Sequence, residues 1–290
     1  MKTLLRPLLL ATACTLALPV LATDRCEFTR TESPALDLAN VKRVLVDLGA
    51  DRITVKPGAP SLTVKHCAST AELLAGSVLT IERRDDALQI DTEGDSGYTI
   101  QLLGISKYLY REVQLSLPPE LAFSLDLGSG DAFIDGLSNV TVDLGSGDVT
   151  VREVGVLSAD VGSGDLIVEG ATSARVEVGS GDIVLKRIQG EVSAEVGSGD
   201  LIIGDVGPIT ALDVGSGDID VHGVRGDVRG ISVGSGDVTL HEVSGSVQID
   251  DIGSGDVVVR SVGGDVLLND QDDLENLRTQ DVTGRVIIGR

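Results

Sequence analysis

The tetrapeptide Gly-Ser-Gly-Asp occurs eight times in this chain, starting at Gly128, Gly145, Gly162, Gly179, Gly197, Gly215, Gly234 and Gly253. The spacings are 17, 17, 17, 18, 18, 19 and 19 residues. Val262-Gly263-Gly264-Asp265 reads as a decayed further copy, and Asp47-Leu48-Gly49-Ala50-Asp51 as an outlying early one. Apolar residues alternate on both sides of each tetrapeptide, as in Arg175-Val-Glu-Val178 before it and Ile183-Val-Leu185 after it. A second turn closes the unit, with Gly136, Gly226 and Gly245 as examples. Two short strands and two turns per repeat mark a solenoid, because one unit cannot bury its own apolar side and stacked units can. The expected fold class is all-β, a parallel β-solenoid with two short strands per 17–19-residue coil. Coils stacked at strand spacing, about 4.8 Å, would make nine or ten of them a rod on the order of 45 Å long.

Composition fits a thin core. There are 36 Gly, 3 Phe, 3 Tyr and no Trp, while 42% of the chain is hydrophobic. Val, Ile and Leu suit short strands that interleave in a narrow two-sheet interior. A net charge of −22 excludes an ordinary nucleic-acid binder, which needs Lys and Arg to neutralise phosphates.

Aligned coils form ladders. Two residues before each tetrapeptide stand Asp126, Asp143, Asp160, Glu177, Glu195, Asp213, Ser232 and Asp251. The tetrapeptides end in Asp131, Asp148, Asp165, Asp182, Asp200, Asp218, Asp237 and Asp256. Like charges at strand spacing repel, so solvent, backbone N–H groups or cations must offset them. A row of calcium sites is one reading, since calcium takes carboxylate oxygens. Turn chemistry on a solvated acidic face is the other. The motif departs from the calcium-binding nonapeptide G-G-x-G-x-D-x-U-x, which weighs toward turn chemistry.

The strand after the tetrapeptide turns a different column outward: Phe133, Thr150, Ile167, Val184, Ile202, Asp220, Thr239 and Val258. Five of these are apolar (Phe133, Ile167, Val184, Ile202, Val258), and an exposed apolar stripe calls for a partner or a cover. The N-terminal region or a terminal segment is the candidate for a cover. Two Thr in eight are too few for a regular ice-binding array.

Residues 1–22 read as an export signal: Lys2 and Arg6, an uncharged run from Leu8 to Leu21, and small residues before a cut ahead of Thr23. A rival reading makes Cys14 a lipid-attachment site. With the leader gone, Cys26 and Cys67 are the two cysteines left, and an oxidising compartment favours one disulfide between them. Residues 23–125 are β-like but irregular and are expected to cap a solenoid of residues 126–290, whose polar Asn269–Gln280 segment begins a C-terminal cap. No later run is apolar and long enough to span a membrane.

Catalytic signals are weak. Gly94-Asp95-Ser96-Gly97 and His66-Cys67 resemble segments of trypsin-like proteases, but Tyr98 replaces an expected Gly and His66 lies only 30 residues before Ser96. His222 and His241 take matching places in consecutive coils, where a stacked exposed pair or a weak metal site, with Asp220 beside it, is conceivable. A polysaccharide-acting solenoid would need a local carboxylate cluster and rings for sugar stacking, and here the carboxylates are spread evenly.

The approach Tyr110-Arg-Glu-Val-Gln-Leu-Ser-Leu-Pro118 and the repeated Asp/Glu-Val-Gly-Ser-Gly-Asp-Val turns resemble a bacterial family of adhesin-like β-strand-repeat domains of unknown function, over residues 41–290. The resemblance implies the fold and brings no catalytic or binding residues. The expectation is therefore an exported, non-enzymatic β-solenoid. It would serve in the periplasm or at the cell surface as a binding or structural module, without a required cofactor. A protein or surface partner, or self-association, is expected, with a calcium-stabilised β-roll as the alternative.

Overall fold

The computed structural model describes residues 26–93, 107–269 and 275–289. The leader, Cys14 and the Gly94–Gly97 segment lie outside these described residues, as does part of the polar C-terminal stretch. The first strands are β1 (Phe28–Glu32), β2 (Arg43–Pro57) and β3 (Ser61–Ala68), followed by the short helix α1 (Ala71–Gly76). Then come β4 (Val78–Arg84), β5 (Ala87–Glu93), β6 (Leu109–Leu117), β7 (Ala122–Asp135), β8 (Asn139–Ser146), β9 (Val149–Ser163) and β10 (Leu166–Ser180). Regular two-strand coils follow as β11 (Ile183–Ile188) with β12 (Val192–Ser198), β13 (Leu201–Val206) with β14 (Ile209–Ser216), and β15 (Ile219–Val224) with β16 (Val228–Ser235). The last are β17 (Val238–Val243) with β18 (Val247–Ile252), β19 (Val257–Val262) with β20 (Val266–Leu268), and β21 (Leu277–Val282) with β22 (Val286–Ile288).

The chain is a parallel β-solenoid. Each coil pairs with the next in parallel register, for example Leu166↔Ile183 on one side and Val176↔Ala194 on the other. Period-two alternation then fixes what is inside. One coil buries Val149, Val151, Val154, Leu157, Ala159 and Val161, and the next buries Leu166, Val168, Ala171, Ala174, Val176 and Val178. Fully burying a Val or Leu side chain is worth about 1.5–3 kcal/mol, so the stacked columns are the main source of stability. Among the described aromatic residues only Phe123 enters this core, which explains why the chain can do without rings.

In seven of the eight Gly-Ser-Gly-Asp corners the third residue has φ between +120° and +132°, as at Gly147 (120°) and Gly181 (132°). A Cβ on Gly181 would fall on the carbonyl of Gly164 in the preceding coil, so these glycines stack where side chains cannot. The corner backbone is paired between coils: the Gly164 N–H donates to the Ser180 carbonyl at 3.0 Å and the Leu166 N–H to the Asp182 carbonyl at 3.0 Å. A second corner holds a left-handed residue in each coil, among them Gly170 but also Glu153, Arg187, Asp205 and Glu242.

The N-terminal part extends the stack edge to edge. β2 pairs along its length with β7, from Arg43↔Ala122 to Val55↔Ile134. On one sheet β6 joins β2, and β3 and β1 follow antiparallel. On the other, β5 joins β2 and β4 follows antiparallel. Both sheets thus end in antiparallel strands that close off the parallel edge. No helix among the described residues is long and apolar enough to cross a membrane.

Candidate functional site

The turn aspartates form a continuous column along one corner. Asp182 accepts the backbone N–H of Asp200 at 3.1 Å, Asp200 that of Asp218 at 3.1 Å, and Asp218 that of Asp237 at 3.0 Å. The same bond joins Asp148 to Asp165, Asp165 to Asp182 and Asp237 to Asp256. One carboxylate oxygen of each is therefore committed to the next coil's backbone. Arginines sit at both ends: Arg52 binds Asp131 at 2.8 Å, and Arg278 binds Asp256 at 2.8 Å. In the outlying early copy, Arg52 rather than Asp51 stands in register with Asp131. Among the described residues no group of three or more His, Cys, Asp or Glu side chains converges as a metal site.

The other acidic ladder is straighter and lies across strand register. Asp91, Asp47, Asp126, Asp143, Asp160, Glu177, Glu195 and Asp213 are successive neighbours. Ser232 interrupts it before Asp251. Burial, with Asp126 and Asp91 on either side, raises the Asp47 pKa above the ordinary carboxylate value.

The apolar stripe runs up the sheet that begins with β1, β3 and β6. Its register reads Phe133↔Thr150↔Ile167↔Val184↔Ile202↔Asp220↔Thr239↔Val258. Ile167 and Ile202 expose 38% and 41% of their surface. Val184 and Val258 are half-buried, and so is Phe133. Phe133 lies beneath cations, with Lys56 Nζ at 5.8 Å and the Arg152 guanidinium at 5.5 Å from its ring. The N-terminal strands continue this sheet and offer Thr54 and Gln114 at its outward column, so among the described residues they leave Ile167, Val184 and Ile202 uncovered.

Cys26 and Cys67 form a disulfide with Cα atoms 5.3 Å apart, tying the start of β1 to β3. Beneath it lies a polar network that sequence reasoning missed. Asp51 and Arg111 are fully buried, with Arg111 Nη1 3.1 Å from Asp51 Oδ2. The Arg111 backbone N–H donates to Asp51 Oδ1 at 2.8 Å, and Arg111 Nε donates to Ser77 Oγ at 2.9 Å. Ser77 Oγ lies 2.7 Å from His66 Nδ1. Burial, then Arg30, lowers the His66 pKa below the ordinary imidazole value. The pair looks like a nucleophile and base, but Ser77 and His66 are 1% and 0% exposed, so no substrate reaches them. A pair separated by 60 residues, such as Asp51 and Arg111, leaves no local signal.

His222 and His241 are register neighbours on β15 and β17, outside the core. A surface groove of about 490 Å³ lies at the left-handed corner, lined in part by Glu153, Arg187, Asp205 and Arg225. Both signs of charge are mixed there, with Arg187 3.5 Å from Glu153.

Comparison with solved structures finds a "putative lipid binding protein" from Parabacteroides distasonis at 14% identity and TM-score 0.42, covering 89% of this chain and 96% of that one. A "putative adhesin" from Bacteroides fragilis matches at 12% identity and TM-score 0.31, covering 90% and 97%. A "putative cell adhesion protein" from Clostridium sporogenes matches at 11% identity and TM-score 0.31, covering 74% and 99%. No curated protein matches the chain. The family model that describes the Toastrack domain, DUF4097, matches residues 44–222, more than half of the sequence, and the chain belongs to that family.

Proposed function

We propose that this protein is an exported, non-enzymatic contact module of the cell envelope: a solenoid closed at one end by strands β1–β6 and presenting one sheet face to a protein or surface partner. The observation that carries this reading is the run Ile167–Val184–Ile202, three apolar side chains on consecutive coils with a polar rim of Thr150 and Asp220. Contiguous exposed apolar patches rimmed by polar residues mark where soluble proteins meet partners. Export rests on the leader-like residues 1–22 and on the Cys26–Cys67 bond, which persists in oxidising compartments. Among the described residues the coils from β7 onward keep their inward columns apolar, and the Asp51–Arg111–Ser77–His66 network is buried away from substrate, which together argue against an enzyme. The commitment of the turn carboxylates to backbone N–H groups favours turn chemistry over calcium.

The test is direct. Beads coated with the purified chain should be retained on fixed bacterial cells or on one another, and soluble chain should compete. Retention no greater than that of albumin-coated beads would overturn the contact role. Recovery of the protein in the cytoplasm with its leader intact would overturn export.

A further inference from the structure

We propose that His222 and His241 form a surface site for a borderline divalent transition metal, Cu(II) above Ni(II) and Zn(II). The chain has three histidines, and His66 is fully buried. Its two accessible imidazoles are thus direct cross-strand neighbours. Parallel strands hold such neighbours about 4.8 Å apart. Metal–imidazole bonds of about 2.0–2.1 Å from each ring can close that gap. The preceding rung is Gly204, and the His222 ring rests in the space its missing side chain leaves: a Cβ there would lie 2.6 Å from His222 Nε2. His222 can therefore lie over Gly204 when free and swing toward His241 when a metal arrives. His241 Nδ1 is 3.7 Å from Glu242 Oε1, which places a carboxylate beside that ring, and water fills the other coordination positions. Arg260, the next rung, sets a limit by placing a cation on the far side of His241.

The donor set chooses the metal. Imidazole nitrogen favours Cu(II), Ni(II) and Zn(II), whereas the carboxylate ladders offer oxygen and suit calcium or magnesium. The metal therefore separates this pair from the acidic faces of the same rod.

The experiment is titration of untagged full-length protein with Cu(II), read by calorimetry in the presence of excess Ca(II), alongside H222Q, H241Q and the double variant. The expected result is one saturable Cu(II) site per chain, unaffected by calcium and lost in each single variant, all three remaining folded by circular dichroism. A folded double variant that binds Cu(II) like the wild type would overturn the proposal and assign binding to carboxylates. Absence of a saturable site in the wild type would overturn it as well.

Discussion

The carboxylate of Asp182 accepts the backbone N–H of Asp200, one coil further along, at 3.1 Å. The bond defines the role of the turn aspartate as an acceptor between coils, and charge is incidental to it. Asp182→Asn keeps an acceptor and removes a like charge, so its stability should stay within about 0.5 kcal/mol of wild type. Asp182→Ala strands an N–H and should cost about 1 kcal/mol, read from chemical denaturation. Equal losses for both variants would return the role to charge.

Gly181 and Gly76 make an opposed pair. Gly181 has φ +132° and no room for a Cβ beneath Gly164, whereas nothing lies within 4 Å of a Cβ built on Gly76. Gly181→Ala should destabilise by at least about 2 kcal/mol, and Gly76→Ala should be neutral or slightly stabilising. Thermal melts of the two variants decide the point.

Acid acts with opposite sign at different aspartates. The Ser246 backbone N–H bound to Asp227, with Arg229 beside it, lowers that pKa, and the Arg285 N–H and guanidinium lower that of Asp265. Their stabilisation is present above the unfolded value, about 3.9, and is lost as pH falls through the lower folded values. Asp47, with its raised pKa, penalises the fold at neutral pH, and the penalty fades as pH falls through its folded value. Asp47→Asn should raise the melting temperature at pH 7 and have little effect at pH 3. Asp227→Asn should lower it at pH 7, and the difference should shrink in strong acid.

The Cys26–Cys67 bond closes a loop of sequence separation 41. Chain-entropy arguments put its contribution at about 4 kcal/mol. Reduction, or the double Cys→Ser variant, should lower stability by an amount of that order. Release should begin at β1, which pairs only with β3 among the described strands. Hydrogen exchange would show Phe28–Glu32 losing protection before the coils do.

The repeat made much of this legible. Spacing and alternation sufficed for the coil, its inward columns, both acidic ladders and the outward apolar column, because each is written once per turn. Direction and distance were harder. Asp182 reaches a partner 18 residues away, not its own turn, and nothing in a single repeat distinguishes those options. The left-handed corner was hidden because Glu153, Arg187, Asp205 and Glu242 hold it in place of glycine. The Asp51–Arg111–Ser77–His66 network was invisible because its members come from three strands and the C-terminal cap of α1 in an irregular region. Whether the N-terminal strands cover the stripe depended on β2 stacking in line with β7, a matter of register that alternation alone leaves open.

The contact face is the centre of this account, and one comparison tests it most directly. A variant carrying Ile167→Thr, Val184→Thr and Ile202→Thr should fold, since these side chains point outward and Thr suits strands. Beads coated with it should lose most of the retention shown by wild-type beads, while a control with Asp143→Asn and Asp160→Asn should keep it. A folded stripe variant retained as well as wild type would contradict the account.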